Sequence, residues 1–544
     1  GVRDGVDYGA KAEKYVALAK FFLDTRGDQE GRHGINIDPA MAQDDLPVTE
    51  QRTAYSHAVR AGYMYTAMAD LSIQTGDDRY REALLALWDS VQTKTYVTGG
   101  VGTSDHHEGF GEDYYMPLDK SYCETCAGIA MFFWNQRMNL LFGDSRYGDV
   151  METALYNTIL SGVSLDGDRF FYNNYVTTAG RERVEWYGTA CCPPNLMRTI
   201  LSLGGYIYAQ QGDTVTMNLY IGNEANLTVS DGPLKLEVTT GFPWNGETAV
   251  TVHTDGERRM TLRLRLPAWA KGANAAAVNG TPIPVQADGD GYLSLTRNWQ
   301  EGDTVTLEFS MEAQTVPMIP GVTCTEDYTA VRRGPIVYCA EAADNGMVPK
   351  LFFLPEAPRF TEQWTDSLDG ADPYGVKSLM KVTVENARIR LLEESADRTL
   401  VMIPFYAASN RGSSPMEVYQ STIPRDQTLE FYGVPSASHT YADNHSDSVN
   451  NLNDGNESDA SRWSSFDGYV HQSPWVQYDF PREVLLEGCA VHWYDDGGGV
   501  QVPNGLTIQT WDGTQFVDVD PSENYVSSLC VPHLCGQPLR QCEQ

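Results

Sequence analysis

The chain has 544 residues, 42% of them apolar, so it can form several cores, and roughly two to four domains are expected. Its 39 basic and 73 acidic residues give a formal net charge of −34, which disfavours binding to nucleic acid and to anionic membrane surfaces. The sequence contains no run of about 18 apolar residues, so no membrane-spanning helix is predicted.

Up to about residue 209 the sequence predicts helices, because apolar residues recur at spacings of three and four. The predicted helices cover residues 12–25, 55–75, 79–95, 124–142, 146–162 and 194–208. Two of them end at Gly-Asp pairs, Gly76-Asp77 and Gly143-Asp144, and an Arg-Tyr pair follows each one. This repetition predicts stacked helix pairs, as in a helical toroid, for a first domain spanning residues 1–209.

From about residue 210 the period of the apolar pattern changes to two, which indicates strands. Clear examples are Leu234–Val238 and Met260–Leu266. We predict an antiparallel β-sandwich region with returning strands over residues 210–420, and a polar linker over residues 408–430.

Residues 437–525 combine short predicted strands with many Asn, Asp, Ser and Trp residues. A polar loop at 450–456 precedes Arg462-Trp463, and Trp475–Phe480 follows. This segment resembles a discoidin-like carbohydrate-binding module of the coagulation factor 5/8 type, and a partial module is expected.

Three cysteines and a glutamate are candidates for one metal site. Cys191 and Cys192 are adjacent and rarely bond to each other, because the peptide between them hardly reaches disulfide geometry, but both can ligate one metal. Glu124 and Cys126 would bring the donors to four, enough for tetrahedral zinc. These two residues can share a metal only if a helix begins there, since within a helix they point away from each other.

A second donor set fits the spacing equally well. Cys123 and Cys126 form a Cys-x-x-Cys pair, which together with Cys191 and Cys192 would make a structural four-cysteine zinc site. Spacing alone leaves both donor sets open.

The loop between the third and fourth predicted helices is rich in glycine, carboxylates and imidazoles. It runs from Thr98 to Asp113 and contains Asp105, His106, His107, Glu108 and Glu112. Such loops carry chemistry more often than structure, although the composition also fits a solvated acidic loop. No strand precedes its glycines, so it is not a dinucleotide-binding fingerprint.

These segments, in this order, resemble glycoside hydrolase family 127, the β-L-arabinofuranosidase family of helical-toroid enzymes. The resemblance covers residues 38 to 220 and the β region to about 420. The matching stretches are Leu46–Val48, Ser56–Ala61, Tyr96–Gly100, Glu108–Gly111, Cys123–Ala127, Asp149–Asn157, Leu165–Gly167, Phe170–Tyr172, Cys191–Asn195, Ile403–Tyr406 and Asn410–Gly412. The implied fold is multidomain, α then β: part of an (α/α)6 helical toroid, an antiparallel β-sandwich region and a partial β discoidin-like module.

The resemblance also implies a chemistry, that of a retaining hydrolase of non-reducing terminal β-L-arabinofuranosides. Cys191 would be the nucleophile and Glu108 the general acid/base. A Zn²⁺ ion would keep the nucleophilic thiol ionised. Its implied ligands are Glu124, Cys126, Cys191 and Cys192.

Three further residues match positions that contact the sugar in the family: His57, Glu152 and Tyr172. Each also has a structural interpretation, as a satisfied helix histidine, an exposed helix carboxylate and a core aromatic. Glu112 is the rival of Glu108 for the acid/base role.

The implied partner is a plant cell-wall oligosaccharide or glycan. Two alternatives remain: a related hydrolase for another pectic furanoside, and a non-catalytic carbohydrate-binding protein with a structural zinc site. The family's toroid has more helices than residues 1–209 supply, so we expect an N-terminally truncated ring and self-association through its apolar flank. The sequence leaves the compartment undetermined, although the carbohydrate-binding module favours an extracytoplasmic one.

Overall fold

The computed structural model describes two compact units, residues 1–425 and residues 426–544. The described residues are 10–28, 30, 37–272, 274–322, 325–368, 377–391, 394–424, 433–440, 449–453, 463–465, 471, 473–480, 491, 493–494, 502–503, 505–519 and 529–530. Much of the predicted discoidin-like module, including Arg462, lies outside the described residues.

Helices dominate the first 206 residues. The α-helices are α1 Ala10–Asp24, α2 Ala58–Thr75, α3 Asp78–Gln92, α4 Thr125–Phe142, α5 Ser145–Ala154, α6 Cys192–Leu201 and, much later, the single turn α7 Ala342–Asn345. The Gly-Asp pairs join helices as predicted. Gly76 and Gly143 end α2 and α4 in the left-handed conformation, and the carboxylates of Asp77 and Asp144 cap α3 and α5.

Three predicted helices differ from the observed ones. The helix predicted at 55 begins at Ala58, because strand β1 (Ser56–His57) pairs with strand β2 (Gly109–Phe110). The helix predicted over 146–162 changes after Ala154 into a π-helical turn, Leu155–Ile159. The last one ends at Leu201, and a 3₁₀ turn, Leu203–Tyr206, follows it.

Helix α4 forms the centre of the helical region. Its side chains are buried without interruption from Thr125 to Asn139, and α2 and α5 pack against it. Because this stretch of α4 is buried on every side, it has no solvent face and depends on the elements packed around it. The packing gives a layered helical core, and the complete toroid remains a prediction.

The chain then forms a β-sandwich. Its strands are β4 Tyr208–Gln211, β5 Thr214–Met217, β6 Asn223–Val229, β7 Gly232–Thr240, β8 Glu247–His253, β9 Arg258–Arg265, β10 Ala275–Val278, β11 Thr281–Ile283, β12 Tyr292–Trp299 and β13 Thr304–Glu308. One sheet has the order β11-β10-β13-β8-β7-β6 and the other β12-β9-β5-β4. The sandwich is not purely antiparallel, because β5 and β9 run parallel: between them the chain crosses to the first sheet and returns.

A third and larger sheet follows the two sheets of the sandwich. It contains β3 Thr177–Thr178, β14 Ala313–Pro317, β15 Tyr328–Arg333, β16 Ile336–Glu341, β17 Phe352–Phe353, β18 Phe360–Thr365, β19 Leu379–Leu391, β20 Glu394–Pro404, β21 Met416–Glu417 and β22 Tyr419–Ser421. The predicted linker over 408–430 is therefore wrong at 416–421, where two buried strands pair within this sheet. Strand β21 also pairs with β3, which joins the sheet to the loop region that precedes α6.

The second unit consists of short strand pairs in its described part. The strands are β23 Val434–Ala437, β24 Val476–Asp479, β25 Trp493–Tyr494, β26 Gln509–Trp511, β27 Phe516–Asp518 and β28 Leu529–Cys530. Across the described residues of both units, no helix combines the length and the apolarity needed to cross a membrane.

Candidate active site

The candidate metal ligands lie where two helices begin. Glu124 is the N-cap residue of α4 and Cys126 lies in its first turn, whereas Cys191 and Cys192 open α6. The backbone of Glu124 is not helical (φ −54°, ψ 137°), which allows its carboxylate to face the same point as the Cys126 sulfur. One donor atom from each of the four residues lies within 4.8 Å of the others.

The distances in this group match tetrahedral coordination. The Cys191 and Cys192 sulfurs are 3.7 Å apart, and each lies 3.6 Å from Oε1 of Glu124. Metal bonds of about 2.3 Å to sulfur and about 2.0 Å to oxygen place tetrahedral donors about 3.5–3.8 Å apart. The second carboxylate oxygen of Glu124 is buried without a hydrogen-bond partner among the described residues. These residues therefore fit a bound metal ion.

Cys191 is the thiol of this group that ionises most readily. The thiols of Cys126 and Cys192 donate hydrogen bonds to its sulfur and lower its pKa, whereas the pKa values of both donors are raised. Burial, with the charge on Cys191 as the next cause, raises the pKa of Glu124 to about 8. The site thus concentrates negative charge on one sulfur, as a nucleophile or a metal ligand requires.

Cys123 does not belong to this group. Its side chain is fully buried in an apolar cluster that includes Tyr96, Met116 and Val176, and burial raises its pKa. Its backbone adopts a left-handed conformation (φ 49°), and its carbonyl accepts hydrogen bonds from Asn174. The geometry favours Glu124 over Cys123 as the fourth donor.

The Gly-rich loop brings Glu108 to the start of α2. His57 pairs with Gly109, and the backbone N–H of Ala58 donates to the carbonyl of Glu108 at 3.2 Å. A Cβ atom at Gly109 would lie 2.4 Å from the Ser56 carbonyl oxygen, so only glycine allows this close pairing. Glu108 itself has φ 66°, a conformation that costs energy and that often marks a functional residue.

The carboxylate of Glu108 has two different neighbours. The hydroxyl of Tyr122 donates to Oε1 at 2.8 Å, and Nε2 of His57 lies 3.6 Å from Oε2. Burial lowers the pKa of His57, while the charges on Glu108 and Cys191 oppose this shift. His57 therefore lies within the electrostatic range of both candidate catalytic groups.

Tyr172 contacts both the thiols and the neighbouring aromatic rings of Tyr122 and Tyr187. Its carbonyl accepts from the Thr125 backbone N–H at 2.8 Å and from the Cys192 thiol at 3.7 Å. Burial, and then the hydrogen bond from its hydroxyl to Cys191, raises its pKa, and the same hydrogen bond helps to lower the pKa of Cys191. The charge on Glu108 also acts on Tyr172, which places all these groups around one site.

Models of three consecutive domains of one family match the chain. They are described as the β-L-arabinofuranosidase GH127 catalytic domain (residues 10–205), the GH127 middle domain (214–311) and the glycoside hydrolase family 127 C-terminal domain (313–421). A non-reducing end β-L-arabinofuranosidase of Bifidobacterium longum subsp. longum is 32% identical over 454 residues, which are 75% of this chain and 68% of that protein. The chain belongs to glycoside hydrolase family 127.

Solved structures agree with membership of family 127. A GH127 β-arabinofuranosidase is 38% identical, with a TM-score of 0.70 over 76% of this chain and 66% of its own. A GH127 β-L-arabinofuranosidase from Geobacillus stearothermophilus T6 is 35% identical, with a TM-score of 0.70. The match covers 76% of this chain and 70% of that protein. The chain thus spans about two thirds of the length of these relatives.

Glu152, the third residue predicted to contact the sugar, lies in a different cluster of this family 127 chain. Its side chain is buried, one carboxylate oxygen pairs with Arg265, and the other accepts from the indole N–H of Trp269 at 2.7 Å. Burial raises its pKa, and the charge of Arg265 opposes that shift. Both oxygens are therefore occupied by protein partners, and this location does not support the predicted sugar contact.

Glu112 is less well placed than Glu108 for acid/base chemistry. Its side chain is 83% exposed, and its ion-pair partner is His106, at 3.8 Å from Nε2. His106 also contacts Asp105 and Thr103, so its ring bonds within the same loop. The structure brings Glu108, and not Glu112, into contact with His57 and Tyr122.

Sequence reasoning missed two residues of the site. Tyr122, which contacts Glu108, directly precedes the cysteine motif, and no spacing rule assigns it a role. Asn195 ends the Cys-Cys-Pro-Pro-Asn motif: it hydrogen-bonds Tyr63 and Arg198, and its side chain also donates to Cys126. The only sign of Asn195 in the sequence was its position one helical turn after Cys191.

Proposed function

We propose that this chain is a retaining glycoside hydrolase that releases non-reducing terminal β-L-arabinofuranose. One observation carries the proposal. The easily ionised thiol of Cys191 and the carboxyl group of Glu108 both interact with Tyr172 and with His57. Two relatives of this chain are β-L-arabinofuranosidases, which supports the choice of sugar. Glycans of the plant cell wall are the proposed source of substrate.

The first half of the proposed reaction transfers the sugar to the protein. The Cys191 sulfur attacks the anomeric carbon while the bond to the glycosidic oxygen breaks, and Glu108 gives its proton to that oxygen. Zn²⁺ bound by Glu124, Cys126, Cys191 and Cys192 would keep the Cys191 thiol deprotonated at neutral pH. The hydroxyl of Tyr172 donates to the same sulfur and stabilises its charge.

The second half returns the enzyme to its starting state. The Glu108 carboxylate takes a proton from a water molecule, whose oxygen attacks the anomeric carbon as the carbon–sulfur bond breaks. The thiolate of Cys191 is the leaving group and is regenerated. Two inversions at one carbon leave the anomeric configuration unchanged, as in retaining enzymes that use a carboxylate nucleophile. His57 and Tyr172 are the proposed contacts to the sugar.

The stereochemistry of the first product tests this proposal. Hydrolysis of 4-nitrophenyl β-L-arabinofuranoside, followed by proton NMR within the first minutes, should show β-L-arabinose before mutarotation. Release of the α-anomer, or no hydrolysis by the metal-loaded chain, would contradict the proposal. Glu108→Gln should abolish most turnover of alkyl glycosides and leave the metal content unchanged, whereas a carbohydrate-binding protein would lose no function on this change.

A further inference from the structure

The hydrogen bond between Tyr122 and Glu108 leads to an inference that rests on the proposed function. The Tyr122 hydroxyl donates to Oε1 of Glu108 at 2.8 Å. We propose that Tyr122 is a positioning residue, which fixes the Glu108 carboxyl group so that Oε2 delivers the proton to the leaving group.

Tyr122 is itself held rigidly. Its backbone N–H donates to the Gly102 carbonyl at 2.9 Å, and its carbonyl accepts from the Asn174 N–H at 3.1 Å. Its ring packs edge-on against Tyr172 and Tyr175, each with a centroid distance of 6.4 Å. A tyrosine phenol is protonated at neutral pH and can donate, and here its donor is directed at Glu108.

Glu108, in contrast, needs support from a neighbour. Its side chain is 34% exposed and projects from a loop residue with φ 66°, outside any regular element. A side chain of this length has several rotamers in such surroundings, and proton transfer requires one of them. Within the described residues, Tyr122 supplies the short hydrogen bond that selects this rotamer.

The direction of this hydrogen bond distinguishes the two carboxyl oxygens. Because the phenol donates to Oε1, the proton of the neutral carboxyl group belongs on Oε2, which faces His57 at 3.6 Å. After proton transfer the same hydrogen bond stabilises the carboxylate that must act as the base. One hydroxyl thus serves both halves of the reaction without contact with the sugar.

Tyr122 also connects the acid/base group with the metal ligands. It lies two residues before Glu124, and its partner ring, Tyr172, carries the carbonyl that accepts from Cys192. The segment from Tyr122 to Glu124, together with Tyr172, therefore fixes the position of Glu108 relative to Cys191.

Dependence on the leaving group tests the inference. A nitrophenolate departs without protonation, whereas a sugar or methanol must be protonated as it leaves. We expect Tyr122→Phe to lower kcat/KM for methyl β-L-arabinofuranoside roughly tenfold to hundredfold, the range for loss of a hydrogen bond to a charged group. For 4-nitrophenyl β-L-arabinofuranoside, kcat/KM should fall less than about threefold.

Tyr175→Phe is the matched control. It removes a hydroxyl from the same aromatic cluster, but that hydroxyl accepts from Asn173 and does not contact Glu108. Its kcat/KM ratio between the two substrates should stay at the wild-type value. Equal losses on both substrates in Tyr122→Phe, or no loss on either, would overturn the inference while an active wild type upholds the proposed function. A wild type that hydrolyses neither substrate would overturn the proposed function and, with it, the inference.

Discussion

Cys123 and Glu124 are neighbours in the sequence, yet their side chains lie in different surroundings. The thiol is in an apolar cluster, and the carboxylate faces three other donors. Cys123→Ala should therefore keep the metal and lose about 1–2 kcal/mol of stability through a small cavity. Glu124→Ala, the matched variant, should lose most of the bound metal. Elemental analysis of the purified variants measures both outcomes, and metal loss in Cys123→Ala would support the four-cysteine site instead.

Residue by residue, the sequence predicted the donors of the site better than their partners. The positions of Glu124 and Cys126 follow from helix geometry, since a shared metal requires a helix to begin there. The neighbours of Glu108 do not follow from any local rule. His57 reaches it through a strand pair that joins residues some fifty positions apart, and Tyr122 reaches it through a loop. Long-range pairing of this kind leaves no periodic signal.

At the scale of elements, a partly exposed cluster of polar and charged side chains around Asp105 stabilises the loop that carries Glu108. Burial raises the pKa of Asp105, but hydrogen bonds from Tyr115, Thr103 and His106 outweigh burial and lower the pKa to about 2. An unfolded aspartate has a pKa of about 3.9, so the ionised carboxylate stabilises the fold above about pH 4. This contribution is lost as the pH falls from about 4 towards 2.

A pH series of urea unfolding measures the contribution of this loop. Asp105→Asn should lower the free energy of unfolding by about 1–2 kcal/mol at pH 7 and by clearly less at pH 3. The exposed Asp119, changed to Asn, is the control and should have little effect at either pH. If Asp105→Asn lowers the free energy of unfolding equally at pH 7 and at pH 3, the charge of Asp105 does not stabilise the loop.

Elements with strong periodicity were predicted well, and their ends were not. The predicted helix over 146–162 contains the π-helical turn because the Asn157 side chain accepts from the backbone N–H of Val337 and donates to the Pro335 carbonyl. These partners lie about 180 residues away, so the helix pattern cannot reveal the change. The predicted linker failed for the same reason: β21 and β22 are short and polar, and the larger sheet alone gives them partners.

For the first unit as a whole, Arg265 connects the helical region to the sandwich. It extends from β9, is fully buried, and pairs with Asp149 and Glu152 of α5. Arg265→Met would leave the buried carboxylate of Glu152 and the half-buried one of Asp149 without their cation, and should cost about 3–5 kcal/mol of stability. Urea unfolding checks this value. A loss below 1 kcal/mol would mean that the two carboxylates are protonated in the folded chain.

Self-association remains a prediction at the scale of the whole molecule. Helix α1 exposes Tyr15, Leu18, Phe21 and Phe22, and Leu201 at the end of α6 is 88% exposed. Apolar faces of this kind favour contacts between copies. Sedimentation should show a mass that rises with concentration, and Phe21→Gln with Phe22→Gln should shift the chain towards the monomer. A monodisperse wild-type monomer would refute the prediction.

The central claim is that the Cys191 sulfur bonds to the sugar. Glu108→Gln, incubated with 4-nitrophenyl β-L-arabinofuranoside, should form this bond but hydrolyse it slowly, because the leaving group needs no acid whereas water needs the base. Mass spectrometry of the digested protein should then find one pentosyl group on the peptide that contains Cys191, and none on a Cys191→Ser, Glu108→Gln chain. A pentosyl group on Glu124, or a burst of nitrophenolate with no adduct on any peptide, would contradict the account.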